Sequence, residues 1–163
     1  MASSNECIRI LAALALATGM CACEKSSREA LSDARNALAE GSFSEAVAAA
    51  GTGLAGSPDE VTSWGLELVI LEAHARAGSG AEAVGQIAKL AKAHPERISA
   101  TDYSSTAQLL RTADQKPAAI EVLDLGVKRF PDDAILARMI EESVATGEDP
   151  AELEMLKSLG YIE

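Results

Sequence analysis

Aromatic residues make up only 3% of this chain, so its core cannot rest on large rings and must be filled by alanine and leucine at close range. Cysteine is nearly missing too. Cys7, Cys21 and Cys23 are the three in the chain, so from residue 24 onward there is neither a disulfide nor a cysteine nucleophile. Positive charge is short: 14 Lys and Arg against 25 Asp and Glu leave a net −11, the wrong sign for neutralising phosphates, so nucleic acid is not an expected partner. The same field repels anionic lipid, and any membrane attachment has to come from an anchor. His74 and His94 lie far apart without a cysteine beside them or a His-Glu-x-x-His spacing, so no metal or other cofactor is expected. No Gly-x-Ser-x-Gly elbow occurs either, which leaves catalysis without candidate residues. Few β-branched runs and little Gly or Pro inside the periodic segments point to an all-α protein.

Long apolar runs are also lacking, and the longest is instructive. Arg9 precedes an uncharged stretch, Ile10 to Cys23, whose apolar part ends near Ala17, short of the ~20 residues that span a bilayer. It reads as the core of a signal peptide, with Glu6 offsetting Arg9. At its end, Met20-Cys21-Ala22-Cys23 places a small residue directly before a cysteine. This resembles the lipobox of bacterial lipoproteins, which implies that residues 1–22 are removed and that Cys23 is acylated, with Cys21 as the variant acceptor. The polar residues 23–27 would form the lipidated tether, and the domain from 28 to 163 would follow. The chain from Cys23 onward keeps the whole net charge. An uncleaved secretory signal, or an apolar helix packed on the domain, is the alternative.

What is present in quantity is a repeat. Ala46 and Pro58, Ala83 and Pro95, and Ala119 and Pro131 each stand twelve residues apart, and the alanines recur at intervals of 37 and 36. Each proline precedes an acid: Asp59, Glu96 or Asp132. A period of this length signals a solenoid, in which one helix pair cannot bury its apolar face without its neighbours. Helix-start signals recur in phase with it. Ser26 with Glu29, Ser42 with Glu45, Ser57 with Glu60, Ser79 with Glu82, and Ser99 with Asp102 place a hydroxyl three residues before an acid, and Asp149-Pro150 opens a last helix. Helices are expected over 27–40, 43–55, 58–77, 80–93, 100–113, 117–129, 133–146 and 150–158. Their apolar stripes are Leu31, Ala34 and Leu38; Val47, Ala50 and Leu54; Trp64, Leu68, Leu71 and Ala75; Val84, Ile87 and Leu90; Tyr103, Ala107 and Leu110; Ile120, Leu123 and Val127; and Leu136, Met139, Ile140 and Val144. Short links such as Glu40-Gly41-Ser42 make consecutive helices antiparallel hairpins.

The residues that mark the period are small residues in the first helix (Ala34, Ala107), glycines at the turn (Gly41, Gly78, Gly147), Phe43 beyond it, Ala46, Ala83 and Ala119 in the second helix, and the closing prolines Pro58, Pro95 and Pro131. Together they resemble a tetratricopeptide repeat over about residues 27 to 158. Leu71 and His74 stand where that pattern has a small and an aromatic residue, Asp114 stands where it has a turn glycine, and the fourth unit is truncated. The resemblance implies an α-solenoid of about three and a half hairpins whose first helices face a concave groove that receives proteins or peptides. On those helices Arg28, Arg35, Arg76 and Arg111, with Glu72 and Gln108, are then the candidate partner-binding residues. The arginines could fork onto carboxylates of a partner, or pair with helical acids such as Glu72 as ordinary surface residues.

Gly51-Thr52-Gly53-Leu54-Ala55-Gly56 matches the glycine fingerprint of dinucleotide sites, but what precedes it reads as helix instead of strand and Pro58 follows. The two interior glycines should fray that helix or end it early. Trp64, Tyr103 and Phe130 are expected in the core, the acid pairs Asp132-Asp133 and Glu141-Glu142 on solvated faces, His94 at a helix end, and the tail Leu156 to Ile162 as a cap on the array. The expectation is therefore a non-catalytic adaptor, lipid-anchored at the bacterial envelope and facing the periplasm from the outer membrane. The alternatives are a soluble periplasmic or secreted accessory subunit and, from a different class, a nucleotide-binding enzyme using Gly51 to Gly56.

Overall fold

The structure is a computed structural model that describes residues 26–147 and 149–163. The signal segment and Cys23 lie outside the described residues. Among those residues there are eight helices and no strand: α1 (Ser27–Ala39), α2 (Phe43–Ala55), α3 (Glu60–Arg76), α4 (Gly80–Ala93), α5 (Ala100–Thr112), α6 (Lys116–Arg129), α7 (Ala134–Thr146) and α8 (Pro150–Ser158). Each helix packs on the next or the next but one. The odd helices α1, α3, α5 and α7 form one row, and α4, α6 and α8 pack as another. This serial order is consistent with an α-solenoid.

Two kinds of link alternate along the chain, and each follows from local chemistry. After α1, α3 and α5 the backbone turns through a left-handed residue: Gly41 at φ +80°, Gly78 at +74° and Asp114 at +60°. The next N–H then reaches back to a carbonyl inside the finished helix: Ser42 donates to Ala37 at 2.8 Å, Ser79 to His74 at 3.0 Å and Gln115 to Leu110 at 2.8 Å. That is the glycine-type helix stop, and Asp114 performs it without being glycine. Its consequence is a correction. Ser42 and Ser79 enter α2 and α4 at ψ 65° and 70°, and neither hydroxyl caps its helix, so these two capping boxes are not formed.

The other links cap the odd helices from outside. Ser26 and Glu29 make a reciprocal capping box on α1, and the Asp102 carboxylate accepts from the Ser99 N–H at 2.8 Å and its hydroxyl at 2.7 Å. Asp133 accepts from Ile135 and Leu136 at the start of α7. Ser57, expected to cap the third helix, instead sits at φ +53°, and α3 begins two residues later than expected, capped by Asp59. Two backbone and side-chain hydrogen bonds from Thr62 lower the Asp59 pKa below the ordinary carboxylate value, with a smaller contribution from Arg28. Prolines Pro95 and Pro131 follow His94 and Phe130, whose φ near −130° has left the helical region, as a residue before proline must. Gly147 departs from the expected turn pattern. Its φ is −63°, and α8 starts afresh from Asp149 and Pro150.

The marker alanines explain how closely the helices pack. Ala34, Ala46, Ala83, Ala107 and Ala119 are all buried, in cores otherwise filled by Leu66, Ile87, Leu90, Leu110, Ile120, Leu123 and Leu136. Buried side chains gather in two clusters. One joins α1 and α2 to Leu66, Val69 and Ala73 of α3; the other takes Leu71 and Ala75 from the same helix and runs through α4 to α7. Thus α3 carries two apolar stripes where the sequence showed one, because an interior helix of a series has neighbours on both flanks. Tyr103 is buried, and Trp64 and Phe130 pack on the second cluster, whereas Val144 stands 37% exposed, outside the core expected for it.

The glycines of α2 correct a further expectation. The helix continues through Gly51 and Gly53 to Ala55 without early termination. Gly53 is the point of contact with α1 and α3: a Cβ there would stand 2.9 Å from Leu66 Cδ1 and 3.0 Å from Ala30 Cβ. Packing therefore recovers what helix propensity loses. At the far end of the array, Arg129 of α6 donates to the carbonyls of Pro95 (2.6 Å) and Ala91 (3.4 Å), satisfying the end of α4. Leu156 of α8 is fully buried and Tyr161 packs on the second cluster, so the tail covers the last hairpin.

Three substitutions test this account by urea denaturation. Gly51→Ala, facing open space, should raise stability by about 0.5–1 kcal/mol. Gly53→Ala makes the same propensity gain but should lose about 1 kcal/mol net by overpacking Leu66 and Ala30. Asp114→Gly should gain up to about 1 kcal/mol by relieving the left-handed backbone.

Candidate functional site

The row of odd helices leaves a groove between α3 and α5. One or two residues per turn on each helix face it, Leu68, Leu71 and Glu72 on α3, and Asp102, Ser105, Thr106 and Leu109 on α5, lining a hollow of about 210 Å³. Leu109 also borders an adjoining hollow of about 150 Å³ with Phe43, Arg76, Thr112 and Ala113. On the far side of Phe43 lies a third, about 310 Å³, lined by Ser44, Val47, Ala73, His74, Ala77 and Ser79. The floor is aliphatic because these positions flank the core stripes of α3 and α5; the walls are polar because they turn toward solvent.

Hydrogen bonds fix the walls. Arg76 Nη1 donates to Glu72 Oε1 at 3.2 Å, one turn apart on α3, and the guanidinium lies 5.3 Å from the centre of the Phe43 ring. The Thr106 hydroxyl donates to the Asp102 carbonyl at 2.7 Å, while the Asp102 carboxylate is held by Ser99. These side chains are thus held in fixed orientations.

Of the candidate partner-binding residues, Glu72 and Arg76 line this surface. The structure does not gather the others there. Arg28, 82% exposed, pairs with Asp59 at 3.3 Å, tying the starts of α1 and α3 together. Arg35 is exposed on α1, where its guanidinium lies over Gly65, 3.4 Å from the place a Cβ would take. Gln108 is exposed and Arg111 half-buried on α5, and neither is among the groove-lining residues described. The arginines are spread along the array instead of converging. Sequence reasoning missed Leu68, Asp102, Ser105 and Leu109 as groove residues. Leu68 belongs to the stripe expected of α3; on α5 the spacing of three and four from Asp102 through Ser105 to Leu109, beside the core stripe, is the available signal.

The remaining motifs find ordinary places. Gly51 to Gly56 forms the last turns of α2 and its cap, with a helix before it. The His94 ring packs edge-on to Trp64 at 5.5 Å, and Arg97 lies over that indole while pairing with Glu60 at 2.8 Å. Among the described residues no cluster of His, Cys, Asp or Glu could hold a metal, and no helix is long and apolar enough to cross a membrane.

Two buried carboxylates tie the tail and α8 to α6. Asp124, buried on α6, accepts from Tyr161 Oη at 3.1 Å and from Lys128 Nζ at 2.7 Å; at the start of α6, Lys116 faces buried Glu152 of α8 at 3.7 Å. Both carboxylates are paired, as burial demands. Burial first, then the Asp124 charge and hydrogen bond, push the Tyr161 phenol up to about 12. Burial likewise raises Tyr103. Comparison with family models, with curated proteins and with solved structures finds no match.

The phenol pKa sets a pH window. Its folded value lies above the unfolded value near 10, so the contribution is complete below pH ~10 and is lost as pH rises toward about 12. The melting temperature should fall across that range, and Tyr161→Phe should start lower and fall less steeply. Equal slopes for the two proteins would remove Tyr161 from the account.

Proposed function

We propose that this chain is a non-catalytic adaptor: a tetratricopeptide-like helical array, held at the bacterial envelope by a lipid on Cys23, that binds a protein or peptide in the groove along α3 and α5. The observation that carries this reading is the serial row of α1, α3, α5 and α7 with an aliphatic, polar-walled groove along it. Repeats of the family it resembles use the same row of first helices for binding. Affinity would come from a few side chains seated between Leu68, Leu71 and Leu109, with Glu72, Arg76 and Asp102 fixing direction.

The location is the outer membrane facing the periplasm, with residues 1–22 removed. A soluble periplasmic subunit with the same groove is the alternative form. Mass spectrometry of the mature protein decides: a diacylated or triacylated Cys23 supports the anchor, and an unmodified N-terminus refutes it. For the groove, Leu109→Arg should abolish capture of peptides selected from a displayed library while leaving the helical circular dichroism unchanged. Undiminished capture would refute the site.

A further inference from the structure

We infer that the segment received by the α3 and α5 groove is basic: an apolar anchor flanked by Lys or Arg, not the acidic segment that four arginines on the odd helices suggested. This rests on the groove being the binding site and adds the chemistry of its occupant. Two carboxylates, Glu72 from α3 and Asp102 from α5, border one hollow from opposite walls, above leucines 68, 71 and 109. Each is held in place through one oxygen, Glu72 Oε1 by Arg76 and Asp102 Oδ2 by Ser99, so both are positioned in advance.

Three occupants can be compared. A purely apolar segment would cover the leucines but strip water from the two carboxylates without replacing it, a costly exchange. An acidic segment would add like charge at close range, inside the field of a chain with net charge −11. A segment with an apolar side chain and a neighbouring cation satisfies floor and walls together. Arg76 borders the adjoining hollow, stacked on Phe43 and paired with Glu72, so that the pair is neutral together: the net negative charge at the hollow is that of Asp102, and Glu72 adds its free oxygen as an acceptor. Arg76 does not reverse the sign at Asp102. Of the remaining odd-helix arginines, Arg28 lies against Asp59, Arg35 over Gly65 and Arg138 against Glu142, and Arg111 lines neither hollow.

The test uses the full chain in detergent and three fluorescein-labelled peptides with identical leucine spacing, whose intervening residues are all Lys, all Gln or all Glu, read by anisotropy. The Lys peptide should bind tightest. Glu72→Gln should weaken it roughly fivefold, the size of one partly shielded ion pair, and Ser105→Lys more; Glu82→Gln, an equal charge change on α4, should leave it unaltered. Leu109→Ala should weaken whichever peptide binds. If the Gln or Glu peptide binds as well as the Lys peptide, or Glu82→Gln acts like Glu72→Gln, the basic-segment inference is overturned while the groove stands. If none binds, or binding ignores Leu109→Ala, the groove itself is refuted and the inference with it.

Discussion

Every helix of this chain depends on a neighbour to hide its apolar side chains, and α3 depends on two. Its Leu66, Val69 and Ala73 close the first hairpin, while Leu71 and Ala75 open the cluster that runs on to α7. With so few aromatic rings, that burial requires backbones at short range. Alanine or glycine at the crossing points is what permits it. Gly53 against Leu66, Gly65 against Leu31 and Gly80 against Ala118 each leave no comfortable room for a methyl group. All three lie between neighbouring hairpins, and Gly53 also meets Ala30 inside its own, so close approach is a property of the stack as much as of the pair.

The helices were legible because their punctuation is chemical. A left-handed residue ends α1, α3 and α5, and prolines follow α4 and α6, so the expected limits fall within about two residues of the observed ones. Asp114 shows why the period mattered more than the letters. It occupies the turn in place of glycine at the interval set by Gly41 and Gly78. Serine three residues before an acid was a weaker signal, since Ser42 and Ser79 have the right neighbours but enter their helices straight from a left-handed turn. The two-faced character of α3 was hidden for a different reason. A helix apolar on both flanks loses the one-sided periodicity by which a core stripe is recognised.

The groove was legible as a location and not as a composition. Choosing the odd helices was enough to find Glu72 and Arg76, yet side chains on one row of helices can point along, across or away from it. Arg28, Arg35 and Arg111 share the row with Arg76 and do not share its hollow. Which residues meet is decided by the angular offset of each helix in the stack, a tertiary quantity absent from any single stretch of sequence. Leu68 and Leu109 were hidden because an aliphatic residue at helical spacing reads first as interior.

The division of the interior into two apolar clusters has a mechanical meaning. Because, among the described residues, α1 and α2 share their cluster with the other helices only through one flank of α3, release of the first hairpin would leave the interior of α4 to α7 covered. Tension applied near Ser26 would therefore be absorbed at that end, as a fuse sacrifices one element of a circuit. The hollow lined by α3 and α5 alone would keep its shape while the leading turns, Phe43 among them, pay out as slack.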